Sequence, residues 1–452
     1  MWRKCWPPQG SCWQSIILPE LFYTVYKMRL LYTLAWWLAL PLVLVRLWLR
    51  GRQEPGYRQH WGERLGLYGA RPATAPMSIW VHAVSVGETR AAEPLIDALL
   101  AEWPQCRIIL THMTPTGRAT GKALFAKHGA RLVQSYLPYD TGAMPARFIR
   151  HFAPHICILM ETEVWPNLIH QCNRHQVLVV LANARLSQRS LGKAQRLGKL
   201  IADAARGITL VAAQTQDDAQ RVRALGAHNV VVTGSIKFDV VVPEAALATG
   251  AQLRAAIGRR PVLLCASTRE GEEPLILDAL ARASLPADVL LLIVPRHPQR
   301  FDEVEKLIVS HGLTVQRRSA LQSGDTVDTA TQVLLGDSMG EMFAYYAACD
   351  CAFVGGSLLP LGGQNLIEPA ALGKPVLIGP HTFNFALVTE QAIAAGGAAR
   401  VLDADALLAQ ASALLQDSSR LEEMGAKALA FAAQHRGATP RTIEAIKPLL
   451  QA

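Results

Sequence analysis

The chain has 452 residues, half of them apolar and 18% charged, which excludes a disordered chain and leaves room for two or three domains with ample cores. Its formal charge of +9 is unevenly placed: residues 1–242 carry 28 basic and 14 acidic side chains, and residues 243–452 carry 17 and 22. That division excludes a uniformly basic nucleic-acid coat and predicts two halves with different partners, the first facing something anionic.

Residues 1–27 show no periodic pattern and read as an N-terminal extension, with Met28 as the more natural start. Residues 30–49 form an apolar run whose one charge is Arg46, near the end, where a long side chain can snorkel. Trp36, Trp37 and Trp48 are of the kind that anchors at interfaces, and no small-residue cleavage site comes after the run. The uninterrupted part before Arg46 is short enough for a buried core helix, but residues 28–52 are better read as a membrane anchor, spanning or lying in the interface. The positive-inside rule puts the residues after Arg50 in the cytoplasm.

From residue 76 the pattern becomes strand, turn, helix, repeated. Strands are predicted at 78–84, 107–111, 132–136, 156–160, 177–182, 209–213 and 230–232, with a helix over 91–102. Most are short apolar runs, as parallel strands buried on both faces require. A link lies near 238–260. The second half repeats the logic, with strands at 262–266, 289–294, 313–316, 333–335, 351–354 and 375–378. The expectation is α/β, with two Rossmann-like domains at 53–240 and 241–452 facing a cleft. The eight cysteines contain no CxxC pair and read as small buried hydrophobes rather than disulfides or zinc ligands.

Ligands of such sheets sit beyond the carboxyl ends of strands, so chemistry is sought just after each one. Glu88, in Ser85-Val86-Gly87-Glu88, opens a helix; it is placed to take a proton from a hydroxyl or merely to complement the helix dipole. Glu161 abuts a buried strand, with Glu163 two residues on, and is either functional or a structural partner of an arginine. Lys237, after the last strand of the first half, can neutralise a phosphate or developing charge, or be a surface lysine. In the second half, Ser267, Thr268 and Arg269 with the helix after them make a candidate anion site. Arg296 and His297 bring a cation and an imidazole to the same edge, and Ser338, Met339, Gly340 and Glu341 come after another strand. The glycine-rich run from Gly355 through Gly363, Asn365, Leu366, Ile367 and Glu368 leads into a helix. Its amides near 363–365 can take phosphate, and Glu368 can accept from sugar hydroxyls. These strand-end motifs predict a nucleotide pocket. Asp403-Ala404-Asp405 has the form of a metal-binding DxD, but its place before an Ala/Leu helix favours a cap, and no metal site is expected.

The ordered segments HAVSVGE, METEVWPN, NARLS, TGSIKFD, STREGEE, PRHPQRF, GDSMGEM and GGSLLPLGGQNLIEPAALGKPVLIGPH resemble the bacterial 3-deoxy-D-manno-octulosonic acid (Kdo) transferases. The resemblance runs from about Met28 to the C-terminus. It implies a GT-B enzyme that moves Kdo from CMP-Kdo to the lipid A precursor in lipopolysaccharide synthesis, with inversion and without metal or other cofactor. It implies an enzyme of the inner membrane's cytoplasmic face, in contact with anionic lipid and not with nucleic acid. Carried over position by position, Glu88 matches the general base, and Glu161 and Lys237 match the residues that stabilise the transition state. Arg296, His297, Ser338 to Glu341 and Asn365 to Glu368 match the CMP-binding motifs. Gln364, Leu366 and Ile367 depart from the side chains expected in the glycine-rich loop.

Overall fold

The computed structural model describes residues 14–451 except 72–74, 197, 283–284, 287 and 323, with side chains from residue 24 onward. The chain divides into two compact units, Met1–Asp239 with Gly437–Ala452, and Val240–Arg436. The last helix, Ala438–Gln451, therefore belongs to the first unit and not to the second half, as its place in the sequence suggests. Ile443 and Ile446 enter the core of the first unit beside Ile79, Val81, Ile96 and Leu99. Asp239 fixes the start of that helix by accepting hydrogen bonds from the amides of Gly437, at 2.6 Å, and Thr439.

The first unit carries seven strands: β1 Met77–His82, β2 Cys106–His112, β3 Leu132–Tyr136, β4 Ile156–Met160, β5 Leu178–Ala184, β6 Leu210–Ala213 and β7 Val230–Val232. All pair in parallel, in the order β3-β2-β1-β4-β5-β6-β7. The apolar runs are buried because helices cover both faces. Side chains alternate across the sheet, so Ile79 and Val81 of β1 join one core while Trp80 packs on Phe148 in the other. The helix expected over 91–102 is present as Glu93–Glu102, separated at Ala92, beside Pro94 with no amide to continue the ladder, from the short helix Val86–Ala91 that Glu88 opens.

The second unit carries β8 Val262–Thr268, β9 Leu290–Pro295, β10 Val315–Arg317, β11 Val333–Leu335, β12 Cys351–Val354, β13 Val376–Ile378 and β14 Ala398–Arg400. They form a parallel sheet in the order β10-β11-β9-β8-β12-β13-β14. The edge strand β14 was not expected. In each sheet the strand order reverses direction once, between β1 and β4 and between β8 and β12, which is where doubly wound sheets leave a crevice. The six described cysteines, 106, 157, 172, 265, 349 and 351, are free and buried, whereas Cys5 and Cys12 lie outside the described residues.

The N-terminal helix runs Gln14–Arg50, so it begins within the stretch read as an extension, whose residues 1–13 lie outside the described residues. Its part Thr24–Arg50 contains an 18-residue stretch with a mean hydropathy of 1.8 and is long and apolar enough to cross a membrane. One stripe packs on the first unit. Arg29 meets His170 at 2.8 Å and pairs with Asp203, Tyr32 donates to Asp140 at 3.0 Å, and Thr33 accepts from Asn167 at 2.9 Å. Trp36 lies against Tyr139 and Trp165, and Leu40 and Leu47 cluster with Tyr139 and Met144. The opposite stripe, including Leu31, Leu34, Leu38, Leu42 and Val45, is exposed.

Candidate active site

Glu88 comes after β1, on the third residue of a short helix capped by Ser85. The sequence Ser-x-x-Glu makes the cap reciprocal: Ser85 Oγ accepts from the Glu88 amide at 3.5 Å, and the Ser85 hydroxyl donates to Glu88 Oε1 at 3.4 Å. Oε2 accepts from the Val84 amide at 2.7 Å. Burial pushes the Glu88 carboxyl up to about 7; the Val84 amide opposes this, and the charges of Glu163 and Glu161 add to it. A carboxyl poised near neutrality and held by its own cap is suited to general base work.

Glu161 comes after β4, across the switch point. Its backbone is left-handed, with φ of +58°, and its amide donates to Ala182 O at 2.9 Å. This costs a non-glycine residue roughly 1 kcal/mol or more and is a conformation found disproportionately at functional sites. Lys237 Nζ lies 2.7 Å from Glu161 Oε1, so the structure brings these two candidates together. Two residues beyond, Glu163 accepts from Trp165 Nε1 at 2.8 Å, and burial raises its pKa, with Glu161 adding to the rise. His82 Nε2 stands 4.0 Å from Glu163 Oε2. That imidazole is neutral at physiological pH, because complete burial, and then His112, push its pKa down to about 3.

Asn183, within the NARLS segment, carried no expected role, and the structure supplies one. It sits at a bulge in β5 with φ of +54°, and its Oδ1 accepts from the Ile236 amide at 3.1 Å. The turn that carries Lys237 is thereby fixed from β5, two strands away from β7 in the sheet. Asparagine tolerates the left-handed region better than most residues, which is the available sequence signal.

The second unit repeats the device. Ser267 lies at a bulge in β8 with φ of +54°. The loop after it meets the glycine-rich loop after β12 so closely that a Cβ on Gly355 would stand 2.6 Å from Ser267 O. Both loops converge on the wholly buried carboxylate of Glu272. Oε1 accepts from the amides of Ser357 and Leu358, each at 3.0 Å; Oε2 accepts from those of Gly356 at 2.6 Å and Arg269 at 2.8 Å. Burial raises the pKa of Glu272 and these four donors oppose the rise. The neighbouring Glu273, equally buried, accepts from Thr268 Oγ1 at 2.7 Å and Arg300 Nη1 at 2.8 Å. Glu272, Glu273 and Arg300 had no assigned role, because nothing local shows which backbone a buried carboxylate will hold.

Around this frame lie the expected binding groups. His297 is exposed, and its pKa is lowered by desolvation and then by the charges of Arg269, Arg296 and Arg300. Ser338 donates to Glu341 Oε2 at 2.6 Å and shares a hydrogen bond with the Tyr345 hydroxyl, while Arg318 pairs with Glu341 at 3.4 Å. Gly340 turns the loop with φ of +84°, and Met339 is exposed. Asn365 Nδ2 donates to Glu368 Oε1 at 3.1 Å.

The structure adds three facts about these loops. The side chains of Leu366 and Ile367 are fully buried and belong to the packing of the unit, so they offer no side chain to a nucleotide. The amides of Gly363 and Gln364 donate to Gly356 O at 2.7 Å and Gly355 O at 3.1 Å and are engaged in folding the loop. The amides of Arg269, Gly356 and Ser357 after β8 and β12 are held by Glu272 and are not free backbone donors. The capping role read for Asp403 is present: it accepts from the Ala406 amide at 2.8 Å, while Asp405 pairs with Arg282.

The family described as 3-deoxy-D-manno-octulosonic-acid transferase (kdotransferase) matches residues 59–240. A 3-deoxy-D-manno-octulosonic acid transferase of Bordetella pertussis is 46% identical over 433 residues, covering 93% of this chain and 99% of that protein. One of Haemophilus influenzae is 39% identical over 432 residues, with coverage of 94% and 99%. Among solved structures, UDP-GlcNAc 2-epimerase from Neisseria meningitidis aligns with a TM-score of 0.56 at 15% identity, over 83% of this chain and all of that one. HepE from Anabaena aligns with a TM-score of 0.54 at 16% identity, over 83% and 100%. Those likenesses show the GT-B fold. With the near full-length identity to the two transferases, the chain belongs to the 3-deoxy-D-manno-octulosonic acid transferase family of glycosyltransferases.

Proposed function

We propose that this protein transfers Kdo from CMP-Kdo to a hydroxyl of the lipid A precursor lipid IVA in lipopolysaccharide synthesis, with inversion and without a metal ion. The observation that carries the mechanism is the Glu88 carboxyl, raised to about 7 by burial at the carboxyl edge of β1. Glu88 takes the proton of the acceptor hydroxyl as its oxygen bonds to the anomeric carbon of Kdo. The bond from that carbon to the CMP phosphate breaks, and CMP leaves as the phosphate anion. Glu161 and Lys237 stabilise charge that develops on the sugar during this step. Arg269, Arg296 and His297, with Ser267, hold the phosphate in place of a metal. Ser338 to Glu341, Gly363, Asn365 and Glu368 surround the nucleoside, and Leu366 and Ile367 support that loop from within the core. The enzyme works at the cytoplasmic face of the inner membrane, to which the N-terminal helix attaches it.

One assay tests this. Purified enzyme is incubated with lipid IVA and CMP-Kdo, with and without EDTA, and the products are weighed by mass spectrometry. The expected result is acceptor enlarged by whole Kdo units, unaffected by EDTA and absent for Glu88→Gln. Transfer that needs a divalent metal, or a Glu88→Gln variant as fast as the wild type, overturns the mechanism. Thermal protection by UDP but not by CMP overturns the donor.

A further inference from the structure

We propose that a basic groove on the first unit binds the phosphate headgroup of an anionic membrane phospholipid, and that the N-terminal helix lies flat in the same membrane surface. The groove runs between the helices Ala143–Phe152 and Pro166–Arg174 and encloses about 490 Å³, ample for a headgroup. Its charged and polar lining is Arg147, Arg150, Gln171, Arg174 and His175, with no carboxylate. None of the three arginines forms an ion pair among the described residues. Arg147 is held by donation from Nη2 to Leu65 O at 3.0 Å, and its buried Nε has no hydrogen-bond partner.

Guanidinium groups confined to one recess repel each other, and an oxyanion relieves that repulsion while accepting their forked N–H pairs. The N-terminal turn of the helix Ala143–Phe152 also lines the recess, and its N-cap, Gly142, contributes no side chain. The Met144 amide of that turn donates to Thr141 Oγ1 at 3.3 Å, so what the helix adds to the arginines is the positive end of its dipole rather than a free amide. This groove is separate from the carboxylates Glu88 and Glu161. Those lie past the carboxyl ends of β1 and β4, whereas the groove lies between two helices that cover a sheet face.

The position of the N-terminal helix selects a membrane lipid. Two residues from Gly142, which lines the groove, Met144 packs against Leu40 and Leu47 of that helix. From Arg29 to Leu47, about 27 Å of helix, one stripe touches polar groups of the unit, including Asp140, His170 and Asp203. A helix so attached to a water-soluble surface is not enclosed by hydrocarbon along that length. Its exposed leucines and tryptophans can still enter the interface from the free side. Headgroup phosphates lie at that level, within reach of long arginine side chains.

The test is sedimentation of the full-length protein with vesicles, which is independent of turnover and so separates this proposal from the transfer reaction. Arg150 and Arg174 are exposed, so Arg150→Gln with Arg174→Gln should leave the fold intact, checked by an unchanged Tm. On phosphatidylglycerol vesicles this pair should weaken binding about tenfold, while binding to phosphatidylcholine should not change. Arg189→Gln with Lys193→Gln removes equal charge from an exposed helix and should weaken binding less than about threefold. Equal losses from the two pairs would mean that only the general field attracts lipid, and would overturn the proposal. So would inorganic phosphate binding in calorimetry as tightly as a short-chain phosphatidylglycerol. Unchanged vesicle binding with a raised KM for lipid IVA in detergent would make the groove an acceptor site and overturn it as well.

Discussion

Glu272→Gln is the sharpest perturbation of the second unit. The wild-type carboxylate accepts two backbone amides on each oxygen, and all four donors belong to the loops after β8 and β12. Glutamine keeps the shape but has one acceptor oxygen. In either orientation its amide nitrogen faces two N–H donors, Ser357 and Leu358 or Gly356 and Arg269. Two buried donors are then unpaired, at about 1–3 kcal/mol each, for a loss of about 2–6 kcal/mol. That is a large part of the roughly 5–15 kcal/mol that holds a domain together. Because the chain has two units, a single unfolding midpoint does not isolate the effect. Hydrogen exchange at the amides of Gly356, Ser357 and Leu358 does, read together with urea unfolding of the full chain. Exchange there should accelerate by at least tenfold, and the KM for the nucleotide donor should rise because the loop beside Arg269 loses its fixed shape. If exchange at these amides matches the wild type and stability changes by less than about 1 kcal/mol, the carboxylate does not hold the loops.

If Glu88 is the base, log kcat/KM should fall with unit slope as pH drops below about 7, and a flat profile down to pH 5.5 would refute the assignment. Glu88 also has a folded-state pKa above its ordinary value, so its contribution to stability is present at low pH and is lost as pH rises through about 7. Glu88→Gln should therefore raise Tm relative to the wild type at pH 8 and not at pH 5; the opposite order in thermal scans would contradict the burial argument. Asp239→Ala removes the carboxylate from the start of the helix Ala438–Gln451 and should cost the first unit about 1–2 kcal/mol, measured by urea unfolding, without altering thermal protection by CMP.

The strands were legible because parallel sheets buried on both faces select uninterrupted apolar runs, such as Ile156–Met160 and the first five residues of Val262–Thr268. Strand β14 was not, since three residues reading Ala-Ala-Arg carry no such signal. The placement of the last helix was also hidden. The spacing of Ile443 and Ile446 reveals an apolar face but not which of two similar units it covers. At the site, carboxylates and cations after strand ends were readable one by one, because doubly wound sheets put ligands there. Their engagement was not readable. Leu366 and Ile367 are ordinary core residues by composition, and only the fold shows that the neighbouring amides already have acceptors. Glu272 illustrates the general reason: its partners come from residues 3 and 84 to 86 positions away, a convergence that no local pattern encodes.

The net charge of each half is a poor guide to its site, and the structure explains why. The first half is the basic one, yet the residues gathered after β1 and β4 are three glutamates, with Lys237 joining Glu161 from beyond β7. A proton acceptor placed among strong positive charges would lose its affinity for protons, so the surplus of arginine must lie elsewhere. Part of it lies in the groove of Arg147, Arg150 and Arg174. The second half is the acidic one, yet the charges of Arg269, Arg296 and Arg300 all act on His297. Two buried glutamates organise that place, Glu273 by pairing with Arg300 and Glu272 by holding the amide of Arg269. Formal charge summed over a domain mixes residues that face substrate with residues that hold the frame, and only their separation assigns the chemistry.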